Sequence, residues 1–296
     1  AIDDVELFGA KPLTTAFNYD TSTVDAFTNA GATIPYVSGS PATTIYIKPT
    51  LTQLENATFT IPVSATLSSG CAATGSVVVT NNTKIFKAGT TGTDWNLGTN
   101  WSPAGVPTAN NCVVIFDNDV NITGTNYTAL GRNLTIKPTG NLNVAPTNTA
   151  LITDFVNVEA GGIFEVEDDA SLVQVNNVAN TVAGTFNSKR IAVTNNILDY
   201  VYWSTPVAGF SVNNITPTST YRYAWSPTTV TGYASNFGNW TAASGAMTTG
   251  RGYIVRGSSG NTTFAGVPNN GDITIPISRS TYMAPSPSYT GPTSTQ

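Results

Sequence analysis

Apolar and polar residues alternate in short runs along most of this chain. Thr44-Ile45-Tyr46-Ile47, Thr58-Phe59-Thr60-Ile61-Pro62-Val63 and Thr274-Ile275-Pro276-Ile277 each repeat with a period of two, the pattern of a strand with one buried face. Pro or Gly interrupts almost every longer stretch, so helical periodicity is hard to find. The expected class is all-β. Residues 1–9 read as the last strand of a preceding domain, Val5-Glu6-Leu7-Phe8 closed by Gly9. Residues 10–83 have the length and strand spacing of a small Ig-like β-sandwich, without the Cys…Trp…Cys hallmark.

Between about 110 and 188 the pattern repeats at an offset near 22 residues. Asn111-Cys112-Val113-Val114 stands over Asn133-Leu134-Thr135-Ile136, Phe155-Val156-Asn157-Val158 and the weaker Asn177-Val178-Ala179-Asn180. Further on, Asn118-Asp119-Val120-Asn121-Ile122 stands over runs that open at Gly140, Gly162 and Gly184. A third apolar cluster, Ala129-Leu130, Leu151-Ile152 and Val173, recurs as well. A fixed period of this size, with two or three short strands per repeat, is the signature of a parallel β-solenoid. Residues 84–188 are therefore expected to form a solenoid with an N-terminal cap. Leu134, Ile136, Leu142 and Val144 fill one rung, and Val156, Val158, Phe164 and Val166 the next. Asn118, Gly140, Gly162 and Gly184 share one turn position, read as needing a positive φ.

From 189 to 296 the texture changes to aromatics set among Pro and Gly: Tyr200, Tyr202, Trp203, Tyr221, Tyr223, Trp225, Tyr233, Phe237, Trp240 and Tyr253. This part reads as a second, aromatic-rich β-sandwich, incomplete at its end.

Composition narrows the function classes. Only 29 of 296 residues are charged, net −5, and there is no histidine, where soluble domains average about 25% charged. Without histidine the commonest general base and metal ligand are missing, which points away from catalysis. Twelve basic residues spread singly give no footprint for a nucleic-acid backbone. No apolar run reaches the roughly 18 residues of a membrane span. The repeat places Cys112 at the phase of Leu134, inward, as a small core hydrophobe. A Cys71–Cys112 disulfide in an oxidising compartment is the alternative, and the register argues against it.

Several segments resemble large surface and secreted proteins of Bacteroidota. Asp94-Trp95-Asn96 with Asn100-Trp101-Ser102-Pro103-Ala104-Gly105-Val106-Pro107 is similar to the motif that opens such repeats, ahead of a run like Val113-Val114-Ile115. Leu198-Asp199-Tyr200-Val201-Tyr202-Trp203-Ser204-Thr205-Pro206-Val207 is similar to the segment after the solenoid. So are Gly250-Arg251-Gly252-Tyr253-Ile254-Val255-Arg256 and Phe264-Ala265-Gly266-Val267-Pro268-Asn269-Asn270-Gly271. The resemblance covers about 90–280. It implies type IX secretion cargo at the cell surface or outside the cell, either an adhesin of gliding bacteria or an accessory part of a secreted hydrolase. Its partners would be surface polysaccharide, neighbouring domains of the same long chain and the secretion machinery. Such proteins carry a C-terminal sorting domain, and none is visible before Gln296, so a fragment of a longer chain is expected.

Each candidate site has a functional and a plain reading. Trp95 and Trp101 could form a sugar-stacking pair, but capping the open end of the coil is the simpler role. Trp225, Tyr233, Phe237 and Trp240, among Gly, Ser, Asn and Thr, could contact a glycan, although aromatics at strand spacing are commonly core. Asp117-Asn118-Asp119 and Glu165-Val166-Glu167-Asp168-Asp169 could offer oxygens to Ca²⁺, but neither fits a known calcium loop and solvated turns are the plain reading. No catalytic pair, cofactor or structural metal is expected. The leading function is a non-catalytic stalk and display segment of an adhesive surface protein. The alternative is a carbohydrate-binding accessory module of a polysaccharide-degrading enzyme.

Overall fold

A computed structural model describes residues 16–66, 72–86, 92–229 and 238–278. It is all-β, with 44% strand and 4% helix, and the chain divides into two compact units: 1–85 with 101–105, and 86–100 with 106–296.

The first unit contains β1 (Phe17–Tyr19), β2 (Asp25–Phe27), β3 (Pro41–Ala42), β4 (Tyr46–Lys48), the single turn α1 (Leu51–Leu54), β5 (Thr58–Thr66) and β6 (Ala72–Thr80). One antiparallel sheet runs in the order β3-β1-β5-β6, and β2 pairs with β4 separately. The Thr50 hydroxyl and the Gln53 amide cap α1 reciprocally. The core is small, built on Val24, Ala26, Tyr36 and Ile61. The short strands β7 (Thr83–Phe86) and β8 (Trp101–Ser102) follow. Lys84 donates from Nζ to the carbonyls of Pro103 (2.7 Å) and Ala104 (2.9 Å), and burial lowers its pKa.

The second unit is dominated by a parallel β-solenoid of about four turns. The first coil is β9 (Cys112–Ile115), β10 (Asp119–Ile122) and β11 (Thr128–Gly131). The second is β12 (Asn133–Ile136), β13 (Asn141–Val144) and β14 (Thr149–Ile152). The third is β15 (Val156–Val158), β16 (Ile163–Val166) and β17 (Ser171–Gln174), and the fourth is β18 (Thr181–Val182) with β19 (Thr185–Ala192). Equivalent strands stack in parallel register into three sheets, β9-β12-β15-β18, β10-β13-β16-β19 and β11-β14-β17. Alternate residues point inward, and Val113, Leu134 and Val156, Ile115, Ile136 and Val158, and Val120, Leu142 and Phe164 are all but fully buried. Each such side chain contributes about 1.5–3 kcal/mol of apolar burial. Phe164 and Phe186 meet edge to face at 5.2 Å inside the coil.

The period is 22 residues only where the coil is regular. In the second sheet Val120, Leu142, Phe164 and Phe186 follow one another at that spacing. In the first sheet Cys112 pairs with Asn133, and Val113 with Leu134, a spacing of 21. A one-residue slip exchanges the two faces of a strand. Cys112 is therefore half-buried on the outer face, a correction to its expected inward position, and Val113 takes the core site. Cys71, and with it any pairing with Cys112, lies outside the described residues. The third sheet slips in the same way: Ala129 stands under Ala150, and Leu130, Leu151 and Val173 line up.

The corner residues stack as expected, for a different reason. The N–H of Asn141 donates to Asn118 O (2.9 Å), that of Ile163 to Gly140 O (3.0 Å) and that of Thr185 to Gly162 O (2.9 Å). None of Asn118, Gly140, Gly162 or Gly184 has a positive φ, which corrects the conformational argument for them. At the glycines what excludes a side chain is proximity: a Cβ on Gly184 would lie 2.3 Å from Glu159 O and 2.4 Å from Gly162 O. The left-handed conformations fall instead on neighbours such as Gly161, Thr147 and Asp169.

Outside the coil, polar side chains repeat from turn to turn. Arg132 donates from Nε to Asp154 Oδ2 (3.1 Å), and Asn176 donates to Asp154 Oδ1 (2.7 Å). Lys137 pairs with Glu159 (2.6 Å) and lies 5.8 Å from the centre of the Phe116 ring.

β19 runs on past the coil and pairs antiparallel with β24 (Gly260–Ala265). Between them come β20 (Tyr200–Trp203), β21 (Arg222–Ser226), β22 (Asn239–Ala242) and β23 (Tyr253–Arg256), an antiparallel sheet in the order β20-β23-β21-β22. Trp203 and Phe210 pack on Phe264 of β24, with centroids 5.8 and 4.5 Å away, and Trp203 Nε1 donates to Ser258 Oγ (3.0 Å). The run Thr274–Ile277, expected as a strand, has no regular structure.

Candidate functional site

The four-stranded sheet has one face in a core and one carrying aromatic rings. On the inner side are Val201, Trp203, Ala224, Tyr253 and Val255, of which all but Val201 are buried. Strand alternation sends Tyr200 and Tyr202 of β20, and Tyr223 and Trp225 of β21, to the other side. Tyr221, just before β21, follows the same alternation. Register then aligns them across strands: Tyr202 with Ile254 and Tyr223, and Trp225 with Trp240. Tyr202 is 74% exposed and Trp225 42%, Tyr200 and Tyr221 are exposed, and Tyr223 and Trp240 are half-buried.

These rings are not coplanar. Trp225 and Trp240 meet at 5.3 Å and 73°, Tyr202 and Trp240 at 6.3 Å and 60°, and Tyr200 and Tyr223 at 6.3 Å and 54°. Tilted cross-strand contacts of this kind stabilise a sheet by roughly 0.5–1.5 kcal/mol each beyond area burial. One guanidinium group stacks on these rings, and a second lies over Tyr253 on the inner side. Arg256 lies 3.4 Å over the centre of Tyr221, and Arg251 donates from Nη2 to Trp225 O (3.2 Å).

Of the four aromatics expected from sequence to contact a glycan, Trp225 and Trp240 come together here. Tyr233 and Phe237 lie outside the described residues. Sequence reasoning passed over Tyr200, Tyr202, Tyr221 and Tyr223 as site residues. The signal was available in Tyr200-x-Tyr202 and Tyr221-x-Tyr223-x-Trp225, a period of two with the aromatics all on one side.

The other candidates lie elsewhere. Trp95 and Trp101 are both buried, at 1% and 0% exposure, and so present no ring face to a sugar. The backbone around Trp95 lies along the outer edge of β10: Trp95 N–H donates to Asn121 O (2.9 Å) and Asn121 N–H to Thr93 O (2.7 Å). Glu165 and Glu167 both bind Lys189 Nζ, at 3.1 and 2.7 Å, and Asp168 accepts from Ile191 N–H (2.9 Å). Among the described residues no group of three or more His, Cys, Asp or Glu is arranged to hold a metal. A hollow of about 510 Å³ opens where Phe186 and Leu172 of the last coils face Asn269, Asn270 and Asp272. Its wall is tied by Asn270, which donates to the carbonyls of Asn176 and Val178.

Fold and site together define an all-β protein in which a parallel solenoid leads into a sheet with an aromatic outer face. Residues 85–295 match the family described as "Domain of unknown function (DUF8693)", and the chain belongs to that family. No curated protein and no solved structure matches the chain. No helix among the described residues is long and apolar enough to cross a membrane.

Proposed function

We propose that this chain is a non-catalytic segment of a large extracellular surface protein, in which the solenoid is a spacer and the aromatic sheet face is an adhesive surface for polysaccharide. One observation carries the reading: six aromatic side chains, from Tyr200 to Trp240, gather on the solvent side of one small sheet. Exposed apolar surface of that kind on a folded protein marks an interaction site. The hydrogen-bonded coils suit a stalk, since each strand is held to the next along its length. The first unit serves as a further spacer, an Ig-like module in this reading. The resemblance to Bacteroidota surface proteins adds type IX export, gliding-associated adhesion and an extracellular location to the proposal. The same face would serve the second reading, an accessory carbohydrate-binding module of a secreted polysaccharide-degrading enzyme.

A glycan array probed with the whole 296-residue chain tests this. Binding to at least one polysaccharide is expected, with a loss of roughly tenfold or more in Trp225→Ala and Trp240→Ala. Binding that is unchanged in both variants, or absent across the array, removes the aromatic face from the reading.

A further inference from the structure

We infer that the polymer bound by the aromatic face is an acidic polysaccharide, one whose sugar rings carry carboxylates. This rests on the polysaccharide reading above and specifies its ligand. The first observation is how charge is distributed. Residues 189–296 hold six basic and two acidic side chains, a net charge of +4, while residues 1–188 hold six basic and fifteen acidic, a net charge of −9. A basic part in an acidic chain points to an acidic partner.

The second observation is where a free cation stands. Lys189 is neutralised by Glu165 and Glu167. Arg190 is taken up by the carbonyls of Glu167, Lys189 and Ala170, and Arg222 by those of Thr216 and Pro217. Arg251 is likewise taken up by the carbonyl of Trp225 and lies 5.8 Å over the ring of Tyr253, on the inner side, and Arg279 lies outside the described residues. Arg256 remains, stacked on Tyr221 at the aromatic face, and among the described residues it has no carboxylate within ion-pair distance. Asp199, next to Tyr200, is engaged by the backbone N–H of Asn196 instead.

A guanidinium stacked on a ring, as Arg256 is on Tyr221, keeps its N–H edge free for a bidentate contact with a carboxylate. A uronate residue offers both halves of that match: a C–H face for a tyrosine or tryptophan ring and a carboxylate for the arginine. Nucleic-acid binding, which also uses rings and arginines, relies on many phosphate contacts, and one free guanidinium supplies few.

The test uses the whole chain with immobilised polygalacturonate and alginate, each against its fully esterified form, which keeps the sugar rings and removes the charge. We expect roughly tenfold or tighter binding to an acidic form. That preference should shrink when salt is raised from about 20 mM to about 0.5 M. Arg256→Gln should abolish the preference while leaving binding to the esters, and Arg256→Lys should keep part of it. Circular dichroism checks that the variants fold. Equal binding to acidic and esterified forms overturns the inference and leaves the polysaccharide reading standing. Absence of binding to every form removes that reading and this one with it. Tighter binding to single-stranded DNA than to either acidic polymer overturns the inference in favour of a nucleic acid.

Discussion

The solenoid and the sheet that follows it use the same strand alternation for opposite ends. In the coil the inward positions are aliphatic or Phe, and the outward positions of β13, Asn141 and Asn143, reach across to Asp119 and Asn121 of the coil below. In the sheet β20-β23-β21-β22 the inward positions are again mostly apolar, but the outward ones of β20 and β21 are Tyr and Trp. A solenoid face closed by amide and ion-pair ladders has little left to offer a partner. The sheet leaves its rings open and its arginines without acids. Stability resides mainly in the first region, and recognition is proposed for the second.

Two aromatic truncations put the largest strain on that contrast. Phe164→Ala, at 0% exposure inside the coil, should cost about 3–5 kcal/mol. Trp225→Ala, at 42% exposure on the sheet, should cost under about 1.5 kcal/mol, mostly its contact with Trp240. Urea unfolding followed by circular dichroism reads both. A Trp225→Ala loss as large as that of Phe164→Ala would mean that the outer face is a core in its own right.

Two glycines give a smaller contrast of the same form. Gly184→Ala forces a methyl group to within 2.4 Å of two carbonyl oxygens in the coil below and should cost about 1–3 kcal/mol. Gly252→Ala, beside β23, meets nothing within 4 Å and has no positive φ. It should be neutral or stabilise by up to about 1 kcal/mol, through the unfolded chain. Equal melting temperatures for the two variants would contradict the close stacking of the corners.

The same contrast explains what could be read in the sequence. Inward positions from Leu134 to Val166 were legible because each coil repeats the same demand, and repetition separates signal from noise. The Cys112 register was not legible. The first coil is a residue shorter from Val113 to Leu134 than the second is from Leu134 to Val156, and an offset taken from the other coils carries the wrong residue inward. Stacking of Gly140, Gly162 and Gly184 was legible, but its cause was not, since sequence cannot separate a left-handed φ from a close carbonyl. The aromatic face was half legible: alternation groups Tyr221, Tyr223 and Trp225, whereas which side of the sheet meets the core is set by partners distant in sequence, chiefly Phe264.

Charge should produce the smallest differences, again on the coil side. Hydrogen bonds from Asn176 and then Arg132 hold the Asp154 carboxyl below its ordinary pKa. A carboxylate lowered in this way contributes stability at pH values above its unfolded pKa and loses it as the pH falls through the folded value. The loss therefore belongs below about pH 4. Lys189 behaves oppositely: Glu167 chiefly, helped by Glu165, raises its pKa against some desolvation, so its contribution holds through neutral pH and is lost only in strong alkali. Asp154→Asn should accordingly melt slightly below the native chain at neutral pH, with the gap narrowing on acidification to about pH 3. Thermal melts of both proteins across that range measure the narrowing. A gap that stays constant with pH would assign the role of Asp154 to its shape and hydrogen bonds, with no part for its charge.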